Sequence, residues 1–142
     1  MDESRKKLWS QAIKWPLYSV AIMPIFASAA FILNSYSSIR LINFIGFSIA
    51  SILILFWENL TNDLFDSMTG IDEFKFHSIV NLIKNRKLLT IIAYSSLITG
   101  LIIISAISIS TDIRIFILVI GCCLLGYLYQ GPPFRLGYLG LG

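Results

Sequence analysis

The chain has 142 residues, of which 56% are hydrophobic and only 13% are charged, and its mean hydropathy is +0.79. This composition excludes a disordered chain, a coiled coil and a soluble globular domain, and it is typical of an integral membrane protein surrounded by lipid. The net charge of +3 is small and lies near the ends of apolar segments, which argues against a nucleic-acid-binding surface.

Four long uncharged segments separate the charged clusters along the chain. Each segment is long enough to cross, or nearly cross, a hydrocarbon core of about 30 Å at a rise of about 1.5 Å per helical residue. We therefore predict an all-α, polytopic transmembrane helix bundle, with helices over about residues 16–34, 41–66, 88–109 and 113–130. Pro24 lies inside the first of these helices, and we expect a kink there that a neighbouring helix compensates.

Basic residues are unequally distributed between the two ends of the predicted helices. Only Arg40 and Arg114 lie at the ends joined by short connections. The other nine lie at the opposite ends: Arg5, Lys6, Lys7, Lys14, Lys75, Lys84, Arg86, Lys87 and Arg135. By the positive-inside rule, both termini are expected on the cytoplasmic or stromal side of the membrane.

Polar side chains form a stripe where the second predicted helix ends. Asn59, Asn62, Asp63 and Asp66 stand at offsets of 0, 3, 4 and 7, which place them on one helix face. A carboxylate facing lipid costs about 2.5–3.5 kcal/mol, so the stripe should face a water-filled cavity or its mouth. Carboxylate and amide oxygens suit Mg²⁺, which usually binds substrate phosphates as well. The pattern predicts a magnesium site that carries a diphosphate; the alternative is a solvated helix end.

Two further segments supply cations on the same side of the membrane. Residues 67–87 interleave apolar and basic side chains, which predicts a short amphipathic element over the mouth of the site. Lys75 would then hold phosphate; alternatively, this element is a surface helix whose cations meet lipid headgroups. The fourth predicted helix is stopped abruptly by Gly131, Pro132 and Pro133.

The turn after the fourth helix brings further candidate residues to the end of the molecule that carries the stripe. Arg135 is a candidate phosphate clamp, and Tyr129 is a candidate cavity wall or hydrogen-bond partner. Tyr127 and Tyr138 are typical of an aromatic belt at the membrane interface.

Three stretches of the chain carry a family resemblance: KLWSQAIKWPLYSVAIMP at 7–24, WENLTNDLFDSMTGID at 57–72 and YLYQGPPFRLGYLGLG at 127–142. In these stretches the chain resembles the UbiA superfamily of intramembrane aromatic prenyltransferases. Within that superfamily it is similar to the cyanobacterial and plastid branch that transfers a phytyl group to 1,4-dihydroxy-2-naphthoate.

This resemblance implies about nine helices around a central cavity, where two aspartate-rich motifs face each other across Mg²⁺ and a prenyl diphosphate. Asn62, Asp63 and Asp66 match the first motif, and the resemblance implies Asp72 as a further metal ligand. Asp63 and Asp66 would be the catalytic pair, with Asn59, Asn62, Lys75, Tyr129 and Arg135 binding the substrates. The implied reaction is transfer of a phytyl or similar polyprenyl group with decarboxylation, in phylloquinone or menaquinone biosynthesis.

The second aspartate-rich motif does not occur in these 142 residues. We therefore expect the chain to supply four of the nine helices and to be inactive alone, with the others in a longer polypeptide or a second chain. The expected setting is a plastid membrane, thylakoid or envelope, or a cyanobacterial membrane. The alternative is a non-enzymatic membrane subunit with a cation-binding acidic helix face. A cation-conducting bundle ranks last, because the third predicted helix offers only Ser and Thr as polar groups.

Overall fold

The structure is a computed structural model that describes residues 3–69 and 78–140. Within these residues it contains helices and no strand: α1 (Glu3–Ile13), α2 (Trp15–Tyr36), α3 (Leu41–Asp66), α4 (Ile79–Ile83), α5 (Arg86–Ser110) and α6 (Ile113–Gln130), followed by a 3-10 turn at Leu136–Leu139. The long helices α2, α3, α5 and α6 each belong to a segment that is long and apolar enough to cross a membrane. The predicted all-α bundle with four such helices is confirmed.

Several helix boundaries have identifiable local causes. The side chain of Asn85 accepts a hydrogen bond from the Leu88 backbone N–H at 3.0 Å, which caps the start of α5. Asp112 caps α6 in the same way, accepting from the Arg114 N–H at 2.9 Å. Lys14 adopts a left-handed conformation with φ 52°, and this single residue separates α1 from α2. The sequence pattern did not predict α1 as a separate helix.

The helix α3 is the centre of the bundle. It packs mainly along α5 and also contacts α2, α4 and α6. Its approach to α5 is close because a glycine faces it: a Cβ atom on Gly100 would lie 3.2 Å from the Ala50 carbonyl oxygen. Nearby, the Ser96 hydroxyl donates to the Leu53 carbonyl at 2.6 Å. Small residues and interhelical hydrogen bonds of this kind hold helices together in lipid, where apolar surface alone gives little driving force.

The buried apolar core lies around the C-terminal half of α3. It comprises Ala12, Trp57, Leu60, Leu64, Ile79, Val80, Leu89, Ala93 and Cys123. By contrast, α2 has no buried residue, and much of the apolar surface of α2 and α6 is exposed. The best-packed part of the chain is therefore the end at which the polar stripe occurs.

Candidate functional site

Three of the four stripe residues are buried inside the bundle. The exposed fractions of Asn59, Asp63 and Asp66 are 3%, 1% and 8%, and Asn62 is half-buried. The helix α3 continues without interruption to Asp66, so the offsets seen in the sequence do place these side chains on one face. That face points into the protein and away from bulk solvent.

Asp63 joins three separate segments of the chain. One of its carboxylate oxygens lies 3.4 Å from the Lys14 ammonium, at the junction of α1 and α2. The other accepts a hydrogen bond from the Ile79 backbone N–H at 3.0 Å, at the start of α4. An unpaired carboxylate with so little exposure would be strongly destabilising, and these contacts compensate its charge. The sequence pattern assigned Lys14 to membrane topology alone.

Asp66 and Arg135 anchor the C-terminal turn to the end of α3. The Tyr138 hydroxyl donates a hydrogen bond to the Asp66 carboxylate. The Arg135 guanidinium donates to the Phe65 carbonyl and lies 5.4 Å from the centre of the Tyr138 ring. Arg135, predicted as a phosphate clamp, is thus close to the stripe and holds the turn in place. Tyr138, assigned by its sequence position to an interfacial belt, contacts a stripe carboxylate.

A cavity of about 460 Å³ adjoins the stripe. It is lined by Lys14, Leu17, Leu55, Glu58, Asn59, Asn62, Leu125, Gly126, Tyr129 and Gln130. Three residues predicted to bind substrate, Asn59, Asn62 and Tyr129, therefore share one cavity. Asp63 and Asp66, which the pattern placed at a cavity or its mouth, are instead buried and are not among the lining residues.

Asn59, a lining residue of this cavity, has a buried side-chain oxygen. Its amide nitrogen donates a long hydrogen bond of 3.5 Å to the Ala12 carbonyl. Its side-chain oxygen Oδ1 is buried and has no partner within hydrogen-bond geometry among the described residues, and neither has the buried Tyr18 hydroxyl beside this amide. A buried amide oxygen without a partner is costly, and it is also a hard ligand of the type that Mg²⁺ binds.

Glu58 and Gln130 are cavity residues that the sequence analysis missed. A Cβ atom on Gly126 would clash with a carboxylate oxygen of Glu58, so the glycine makes room for this side chain. The Gln130 amide donates to the Thr61 hydroxyl at 2.7 Å and to the Glu58 carbonyl at 3.2 Å, joining the end of α6 to α3. Glu58 stands four residues before Asn62, and that helical spacing was the available signal.

Within residues 3–69 and 78–140, no group of three His, Cys, Asp or Glu side chains is arranged to hold a metal ion. Asp72 and Lys75, predicted as a metal ligand and a phosphate ligand, lie outside the described residues. Among the described residues, the candidate oxygen donors of the stripe are Asn59, Asn62, Asp63 and Asp66.

A larger cavity of about 710 Å³ lies between α2 and α3 near the opposite ends of these helices. Its lining is mainly apolar, with Arg40 and Asn43 among its polar residues. Because it includes no residue of the stripe, size alone does not make it the better candidate for chemistry.

Comparison with known proteins agrees with the family resemblance. The chain is 44% identical over 138 residues to the 2-carboxy-1,4-naphthoquinone phytyltransferase of Synechocystis sp., an alignment that covers 96% of this chain and 45% of that protein. It is 41% identical over 141 residues to the chloroplastic 2-carboxy-1,4-naphthoquinone phytyltransferase of Arabidopsis thaliana, covering 97% of this chain and 36% of the relative. No protein-family model and no solved structure matches the chain. The resemblance to naphthoquinone phytyltransferases is confirmed over nearly the whole chain, which spans less than half the length of each of these relatives.

Proposed function

We propose that this chain is part of an intramembrane prenyltransferase of the UbiA type, which transfers a phytyl or similar polyprenyl group from its diphosphate to 1,4-dihydroxy-2-naphthoate with decarboxylation. The observation that carries the proposal is the buried acidic stripe beside a cavity lined in part by Lys14, Asn59 and Asn62, in a chain similar to two naphthoquinone phytyltransferases. In this proposal the product serves phylloquinone or menaquinone synthesis in a plastid or cyanobacterial membrane.

The oxygen donors around the cavity fit a magnesium ion. Asn59 Oδ1 is buried without a partner among the described residues, and Asn62 lines the same cavity. Asp63 and Asp66 supply the negative charge on that helix face, and further ligands, Asp72 among them, would complete the set. Bound there, Mg²⁺ would neutralise the negative charge that develops on the departing diphosphate.

The chain's own residues would bind and orient the two substrates. Asn62 and Tyr129 line the cavity, and their polar groups would contact a ligand bound inside it. The apolar surfaces of the transmembrane helices would accommodate the prenyl chain and keep water away from the allylic cation, which water would otherwise quench. Arg135 and Tyr138 hold the C-terminal turn against the end of α3, beside Asp66.

The proposal is tested in the complete protein that contains this sequence, expressed in membranes and supplied with Mg²⁺ and dihydroxynaphthoate. Phytyl and solanesyl diphosphates are compared as donors. We expect Asp66→Asn to lower transfer about a hundredfold or more while membrane insertion is retained. The matched control is Asp112→Asn at the opposite end of α6, where asparagine can still cap the helix. Normal turnover in the Asp66→Asn protein would remove this residue from the site.

The same assay examines whether the 142 residues are active without the other helices. We expect no product from this chain alone and product from the chain together with the remaining helices. Absence of transfer from the complete protein with either donor would instead support the alternative, a non-enzymatic membrane subunit whose acidic helix face binds cations.

A further inference from the structure

Lys14 contacts the buried Asp63 carboxylate and also lines the cavity beside the stripe. Its left-handed backbone conformation ends α1 and begins α2, and its side chain is 35% exposed. Its ammonium lies 3.4 Å from the buried Asp63 carboxylate, and the same residue lines the cavity that Asn59 and Asn62 share. The Lys14 side chain therefore contacts the carboxylate and also belongs to the lining of the cavity.

Asp63 also connects two segments of the chain that are distant in sequence. Asp63 also accepts the Ile79 N–H at the start of α4, and α1 packs against α4. Lys14 and Ile79 therefore fix the junction of α1 and α2, and the start of α4, to the same carboxylate on α3. A ligand that binds Asp63 would therefore affect its contacts with both of these segments.

We propose that Lys14 is an internal counter-ion of Asp63 that a metal ion displaces and that then binds the diphosphate. This inference rests on the proposed function. In the absence of ligand, the ammonium compensates a carboxylate that would otherwise be buried with its charge uncompensated. A divalent cation at Asp63 repels the ammonium from the same oxygens, and the long flexible lysine stem allows it to move.

The destination of the displaced ammonium follows from the cavity lining. Besides Lys14, the charged residue of that lining is Glu58, whose carboxylate is held against Gly126. A diphosphate in the cavity carries more negative charge than Glu58 and attracts the ammonium more strongly. Lys14 thus opposes binding of the metal alone and favours binding of the metal together with diphosphate.

The test measures Mn²⁺ binding by electron paramagnetic resonance to the complete protein in lipid nanodiscs, first with Mn²⁺ alone and then with Mn²⁺ and inorganic pyrophosphate. We expect Lys14→Met to bind Mn²⁺ alone about tenfold more tightly, because a neighbouring opposite charge changes the cation affinity of a carboxylate by about that factor or more. The same variant should bind pyrophosphate in the presence of Mn²⁺ more weakly than the wild type. Lys14→Arg keeps the charge and should bind Mn²⁺ alone like the wild type, as should Lys87→Met at the exposed start of α5.

A second measurement uses the unsubstituted protein and therefore does not depend on how a variant folds. Reductive methylation of Lys14, quantified by mass spectrometry, should increase with Mn²⁺ alone and decrease when pyrophosphate is added with Mn²⁺. Unchanged methylation under both conditions would overturn the displacement.

The outcomes separate this inference from the proposed function. If the wild type binds Mn²⁺ with pyrophosphate, Asp63→Asn abolishes binding and Lys14→Met behaves like the wild type, the counter-ion role is refuted while the proposed function stands. If the wild type and Asp63→Asn both fail to bind Mn²⁺ with pyrophosphate, the proposed function fails and this inference fails with it.

Discussion

Because α3 and α5 are in close contact, substituting different glycines with alanine should lower the free energy of unfolding by different amounts. A Cβ atom on Gly100 would lie 3.0 Å from Ile54 Cγ1 and 3.2 Å from the Ala50 carbonyl oxygen, and a backbone atom of a packed helix cannot easily move away. At Gly121 in α6, nothing lies within 4 Å of the added atom. Both substitutions to alanine gain the same helix propensity, about 0.5–1 kcal/mol. Overpacking at Gly100 costs about 1–3 kcal/mol, so the Gly100→Ala protein should be less stable than the Gly121→Ala protein by about that amount.

Gly46 provides an intermediate case on the same α3–α5 interface. Its added Cβ atom would lie 2.7 Å from Ile107 Cδ1, the far end of a flexible side chain that can change rotamer. We therefore expect Gly46→Ala to be less destabilising than Gly100→Ala. The free energy of unfolding is measured by reversible SDS unfolding in mixed micelles, followed by circular dichroism. Equal stability of the three variants would refute the claim that Gly100 sets the distance between α3 and α5.

Two further predictions concern the polar contacts of the bundle and its orientation in the membrane. Gln130→Leu removes the hydrogen bond to the Thr61 hydroxyl and should lower the free energy of unfolding by about 0.5–1.5 kcal/mol in the same assay, whereas Gln11→Leu on the exposed surface of α1 should not. In a cysteine-free background, a membrane-impermeant maleimide should label Lys87→Cys from the cytoplasmic or stromal side and Ser38→Cys from the opposite side. Labelling of both from one side would contradict the orientation inferred from the basic residues.

Helical periodicity predicted the long helices and the shared face of the stripe, because both depend on residues close together in sequence. The spacing of Asn59, Asn62 and Asp63 is a property of one helix, and α3 preserves it without a break. The partners of that face come from distant segments. Lys14 meets Asp63 across 49 positions of the chain, and nothing in the local pattern of Lys14 distinguishes it from a residue that only sets membrane topology.

In the C-terminal turn, too, the sequence predicts the local backbone but not the contacts with distant residues. The Gly-Pro-Pro sequence correctly indicated that the chain stops being helical after Gln130. It did not indicate that Arg135 would donate to the Phe65 carbonyl, or that Tyr138 would donate to Asp66. An arginine and a tyrosine at a helix end suit a membrane interface equally well, so their roles depend on which helix end lies beside them.

Because lipid surrounds the helices, polar contacts largely determine how the helices of this chain pack together. An apolar side chain loses little free energy when it contacts lipid tails instead of a neighbouring helix. The apolar composition of α2 therefore does not determine which of its faces contacts a neighbour. Consistent with this, α2 buries no residue, although it is as apolar as the other long helices. Three polar contacts fix the α1–α2 junction, α6 and the C-terminal turn to the end of α3: Lys14 to Asp63, Gln130 to Thr61 and Tyr138 to Asp66. Because two of them use carboxylates of the stripe, the groups proposed to bind metal also hold the helices in register, and ligand binding and helix packing at this end should be coupled.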